Sequence, residues 1–175
     1  MSQSGEPRCQ LRWAGHAWTR TLGQRGLTVL VLLAPLVAQA DPPNALCAPL
    51  QTFVDSVPPA ESRAFTFHTI WGRNFKDAAE PALSGKRCAY HGHDAAKAVC
   101  VHLMQHGATE FAGRNVARVL ECLAPGTTFA KNLDLRQGEF ALTTGTPGRD
   151  RRVRVTFGED AQLGGMALEV VVRGN

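Results

Sequence analysis

The chain has 175 residues, 44% hydrophobic and 19% charged, with 17 glycines and 10 prolines. That make-up suits about one globular domain and excludes a disordered or collagen-like chain. An aromatic share of 7% and a mean hydropathy of −0.14 argue against a multi-span membrane protein.

The first forty residues read as an export signal. Arg8, Arg12, Arg20 and Arg25 stand against the single acid Glu6, and an uncharged apolar run, residues 27–37, follows. Ala38-Gln39-Ala40 then offers small residues where a signal peptidase cuts, and Asp41-Pro42-Pro43 follows. A basic start, a short apolar stretch and an A-x-A site define a secretory leader. As a helix the apolar run spans roughly 16 Å, about half a bilayer core, which is too short for an anchor. No adjacent arginine pair precedes it, which disfavours twin-arginine export. Bulky Leu46 before Cys47 disfavours lipid attachment.

The expected organisation is therefore a leader over 1–40 and one exported domain over 41–175, periplasmic or secreted, with no transmembrane segment. Basic residues are mostly arginine, 15 against 4 lysines, a usage common in GC-rich bacteria. The formal charge of +4 owes much to the leader. Without it 15 basic and 14 acidic residues remain, a net of +1, so the charge gives no reason to expect a nucleic-acid partner.

In the exported part, residues 44–57 read as a helix, with Asn44 as cap, Leu46, Leu50, Phe53, Val54 and Val57 as its stripe, and Pro58-Pro59 as its stop. Residues 63–71 alternate as a strand, Phe65, Phe67, Thr69 and Trp71 on one side and Thr66, His68 and Ile70 on the other. Residues 73–93 look irregular. Residues 94–106 read as a helix capped by Asp94 and ended by Gly107, apolar over most of its circumference and so central. A second helix is expected from Thr109 to Leu123, with Glu110 and Arg114 paired at i,i+4. A bend at Gly107 should turn these two helices against each other. Strands follow at 139–144, 152–157 and 166–173, joined by glycine-rich turns. The expectation is an α+β domain in the order α-β-α-α-β-β-β, helices packed on one face of a mainly antiparallel sheet.

Cys47, Cys88, Cys100 and Cys122 remain after the leader, with no C-x-x-C pair among them. In an exported chain they read as two disulfides rather than a metal site. The preferred pairing is Cys88–Cys100, a short closure onto the central helix, with Cys47–Cys122 between the flanking helices. On the chain-entropy account the two loops are worth about 3 and about 4.5 kcal/mol.

Chemistry is harder to find. His102 and His106 stand at i,i+4, the spacing by which two imidazoles reach one metal, and His68, His91 or His93 could add a ligand. The helix lacks the glutamate of H-E-x-x-H and an acidic second shell, so the histidines are expected to serve backbone hydrogen bonds, with no metal or cofactor. Ser56, Ser62 and Ser84 lie in no nucleophile motif, oxidised thiols cannot attack, and Glu159-Asp160 reads as a solvated turn. No catalytic residue can be nominated. The basic run Arg149-Asp150-Arg151-Arg152-Val153-Arg154 could grip an anionic partner, and is otherwise a solvated turn and strand face. Trp71-Gly72-Arg73-Asn74-Phe75 mixes groups found at binding hot spots, although Trp71 is more simply a core residue. The function expected is that of a non-catalytic binding module: an inhibitor, an immunity-type protein or an envelope accessory protein with an envelope or periplasmic protein as partner. A histidine-based metal protein and a cell-envelope hydrolase are the alternatives.

Overall fold

Alternation of apolar and polar residues builds most of the sheet, because successive side chains of a strand leave on opposite faces. The computed structural model describes residues 44–130, 133–145 and 149–175. The leader expected over 1–40 lies outside them. The elements are α1 (Cys47–Asp55), β1 (Ser62–Trp71), β2 (Ser84–Ala89), α2 (Asp94–His106), α3 (Gly113–Leu123), β3 (Gly138–Thr144), β4 (Arg151–Glu159) and β5 (Met166–Gly174). The five strands form one antiparallel sheet in the order β2-β1-β5-β4-β3, with the helices on one face. This is the α+β architecture expected, with the strand β2 added inside the segment 73–93 that looked irregular. Its residues, Ser-Gly-Lys-Arg-Cys-Ala, carry no alternation of hydrophobicity, and edge pairing to β1 makes the strand.

One face of the sheet supplies the core. Phe65 and Phe67 of β1, Val153 and Val155 of β4, and Val170 and Val172 of β5 are buried there against Leu50, Phe53 and Val54 of α1. The Phe53 ring meets Phe65 edge-on, centroids 5.6 Å apart, a favoured aromatic geometry. Two disulfides tie the helical layer: Cys47–Cys122 joins the start of α1 to the end of α3, and Cys88–Cys100 joins β2 to α2. No helix among the described residues is long and apolar enough to cross a membrane.

Several local expectations change. The helix expected from Asn44 begins at Cys47. Asn44 forms a turn instead, its Oδ1 accepting from Leu46 N and its Nδ2 donating to the Arg118 carbonyl, which pins the entry of α1 to α3. Pro49 is the third helical residue, where a missing N–H leaves no bond unmade. Asp94 makes no capping bond: His93 occupies the cap and Asp94 is the first helical residue. α2 is one-sided rather than central, with Val101 and Met104 exposed. It ends where Gly107 turns to extended backbone, a position closed to other residues because a Cβ there would lie 2.6 Å from the Phe67 ring.

α3 starts at Gly113, not Thr109. The buried Asn115 side chain accepts from Ala108 N and donates to Ala108 O, 2.8 Å each, and so holds the preceding loop out of the helix. Glu110 therefore cannot pair with Arg114 along the helix, and the Arg114 guanidinium lies over the Phe111 ring instead. Nor do α2 and α3 turn chiefly against each other, because α1 packs against both.

Candidate functional site

Among the described residues the second face of the sheet has no helical layer. At the β1–β2 end the loop after β1 covers it: Phe75 is buried against Ile70 and Gly85, and Arg87 stacks on the Phe75 ring while binding Asp77. Arg87 and Asp134–Arg136 show the same chemistry: guanidinium groups hold the carboxyls of Asp77 and Asp134 below the usual carboxylate range. Over β5, β4 and β3 none of the described residues covers the sheet face.

The register sorts that open face into rows across the strands. Thr143, Arg152, Arg173 and Ser62 form one row, and Ala141, Arg154, Val171 and Ala64 the next. Glu139, Thr156, Glu169 and Thr66 form the third, and Gly158, Ala167 and His68 the fourth. Two depressions that share Glu139 follow these rows. One, of about 500 Å³, lies over Arg152, Arg154, Arg173, Ala141 and Val171. The other, of about 750 Å³, lies over Thr66, His68, Thr156, Glu169 and the Glu159-Asp160 turn.

Strand pleating splits the basic run expected from the sequence. Arg152 and Arg154 reach the open face and Arg149 the turn, but Arg151 points to the covered side, where it is buried and its Nε has no partner. Arg173, far along the chain, takes the place beside Arg152. Among the described residues no carboxylate stands within ion-pair distance of Arg152, Arg154 or Arg173. Like charges directly opposite across a ladder repel, so this pairing is unfavourable for the isolated sheet.

Asp160 is not a solvated turn residue. Its Oδ1 accepts from Gln162 N at 2.7 Å and Leu163 N at 2.9 Å, and its Oδ2 meets His68 Nε2 at 2.9 Å. The Leu163 amide most of all holds its carboxyl below the usual range; burial, next in size, opposes this, and the Gln162 amide and then His68 add to the lowering. The His68–Asp160 pair borders the larger depression, but His68 has no hydroxyl or thiol within hydrogen-bond reach among the described residues. It therefore lacks the nucleophile an acyl-transfer dyad requires. Glu159, by contrast, is exposed and pairs with Arg73.

The other histidines stay apart from this face. His102 and His106 lie side by side with ring centres 4.8 Å apart and ring planes tilted by 45°. Burial, and then the charges of His106 and Arg118, push the His102 imidazole below its usual value and so favour its neutral form. Among the described residues no group of three or more His, Cys, Asp or Glu side chains is placed to hold a metal ion. His93 Nε2 lies 2.9 Å from Ser56 Oγ. That hydroxyl already donates to the Phe53 carbonyl, so in this arrangement His93 is the donor and does not activate the serine.

Of the Trp71–Phe75 segment, Trp71 is 53% exposed rather than in the core, Asn74 clamps its own loop through Glu80 O and Ala82 N, and only Phe75 is buried. Glu139, Glu169 and Arg173 are the charged residues of the open face that the sequence does not single out. Their period-two placement was readable, but not which residues they would face. Compared with known proteins, the chain matches no family model, no curated protein and no solved structure.

Proposed function

We propose that the protein is an exported, disulfide-stabilised binding module that engages a protein partner through the open face of β3, β4 and β5, in the manner of a small inhibitor, an immunity-type protein or an envelope accessory protein. The observation that carries this reading is the exposed, charged sheet face itself. An antiparallel sheet commonly leaves one face to solvent, but this face gathers Arg152, Arg154 and Arg173, none of them ion-paired among the described residues, beside Glu139 and Glu169 and two adjoining depressions. Support also comes from the leader-like residues 1–40 and from bridging of all four later cysteines, which suits an oxidising compartment.

Native mass spectrometry on the oxidised protein, isolated under mild conditions from the cells that make it, tests the reading. The expected result is a stoichiometric complex with one protein, lost on Thr156→Arg in the open face and kept on Met104→Glu in α2. Recovery of the chain alone, or a complex indifferent to Thr156→Arg, overturns it. The side-by-side rings of His102 and His106 favour one second reading, a metal-binding protein. That reading requires bound zinc, copper or nickel that disappears with His102→Ala.

A further inference from the structure

The open face carries more than exposure, because its charges are segregated by row. Arg152 and Arg173 face each other directly across β4 and β5, and Arg154 stands one row on, between Ala141 and Val171. One row further, Glu139 and Glu169 flank Thr156. All five charged side chains are exposed, and none is in an ion pair among the described residues. Rows of a sheet are two residues apart, so successive rows lie roughly 7 Å apart, and the outer two roughly 13 Å.

Resting on the reading of this face as the binding face, we propose that its occupant is an extended, dipolar strand of the partner: a carboxylate held by Arg152 and Arg173 and reached by Arg154 from the next row, a small apolar side chain against Val171 that leaves Arg154 room to reach that carboxylate, and an ammonium or guanidinium over Glu139 and Glu169. An extended chain repeats its side chains on one face at the same two-residue interval as the rows beneath it. Acid, apolar residue and base at i, i+2 and i+4, in either chain direction, therefore fall in register with the three rows. A simple anion would satisfy the arginines and leave the adjoining carboxylates without a counter-charge. A cation alone would fail at the opposite end. Segregation of both signs on one strip is the charge complementarity that selects a dipolar segment over either.

The test uses three disulfide-closed β-hairpin peptides that display Glu-Thr-Val-Thr-Lys, Glu-Thr-Val-Thr-Glu or Lys-Thr-Val-Thr-Lys on one strand. Each is titrated into the oxidised protein at low salt while its backbone amide shifts are followed by NMR. The dipolar hairpin is expected to bind at least tenfold more tightly than either single-sign hairpin, with shifts confined to β3, β4 and β5. Arg154→Glu and Glu169→Lys should each weaken it at least tenfold, and added salt should weaken it further. Unchanged melting of both variants, whose side chains are exposed, shows that folding is not the cause. An acidic hairpin that binds as well as the dipolar one leaves an anion site only and overturns the assignment. So does shift at another surface, or no binding.

The two readings fail separately. A natural complex that needs Thr156 but ignores Arg154→Glu and Glu169→Lys removes the dipolar strand and keeps the binding module. A chain with no natural partner that still binds the dipolar hairpin removes the binding module and keeps only the preference of the face for a dipolar strand.

Discussion

The two faces of this sheet are made by the same strands and obey opposite rules. On the covered face Phe65, Val153, Val155, Val170 and Val172 are fully buried, and the helices above them are fastened by two disulfides. On the open face the alternate residues of the same strands include arginine, glutamate and threonine, and Arg152 stands directly opposite Arg173. The covered face holds the fold together. The open face is released from that duty, so it can carry a charge pattern that costs a little stability and becomes favourable only when something complementary lies on it.

That contrast can be broken from the covered side first. Replacing Cys47 and Cys122 by alanine opens the loop of sequence separation 75 and should remove about 4.5 kcal/mol on the chain-entropy account, read from denaturant unfolding under oxidising conditions. Phe65→Ala, which leaves a void beneath the Phe53 ring, should cost about 4 kcal/mol in the same measurement. Equally large losses from open-face substitutions would end the division of labour.

Asp160 sits where the two faces meet the β4–β5 turn, and Asp160→Ala should cost about 2 kcal/mol near neutrality through the loss of its amide and imidazole bonds. Its folded-state carboxyl is held below the usual value, so its contribution is present above the ordinary carboxylate range and fades as pH falls through the depressed value. The gap between wild type and variant should therefore close in strong acid, which urea titrations at a series of pH values would show. The smallest effect has the opposite sign. Arg173→Thr removes the like-charge opposition to Arg152 and supplies a good strand residue, and should stabilise the isolated domain by about 0.5 kcal/mol while weakening partner binding. A destabilised Arg173→Thr protein would show that the arginine serves the fold.

Much of the fold was legible because its signals are local. Phe65-Thr66-Phe67 and Val153-Arg154-Val155 alternate at the period of a half-buried strand, and Leu50, Phe53 and Val54 mark one side of a helix. The failures have physical causes as well. β2 carries no hydrophobic alternation and exists through pairing with β1. The start of α3 was set by Asn115 reaching back to Ala108, a tertiary choice invisible to capping rules. Trp71 followed the alternation of β1 yet stands at the strand's exposed end.

The site was legible only in fragments. Arg152 and Arg154 were singled out within a basic run, but Arg151 belonged to the other face and Arg173 lay in a different strand. From its sequence neighbours Asp160 reads as solvated, because they do not reveal the turn amides and His68 that hold it. Composition, cysteine count and alternation by themselves determined an α+β domain with bridged cysteines, since alternation depends on residues a few positions apart and the other two need no knowledge of which residues meet. Which charges share a row, and hence what the open face can hold, was decided only by the antiparallel register of β3, β4, β5 and β1. A shift of one residue in that register would turn every one of those side chains to the opposite face.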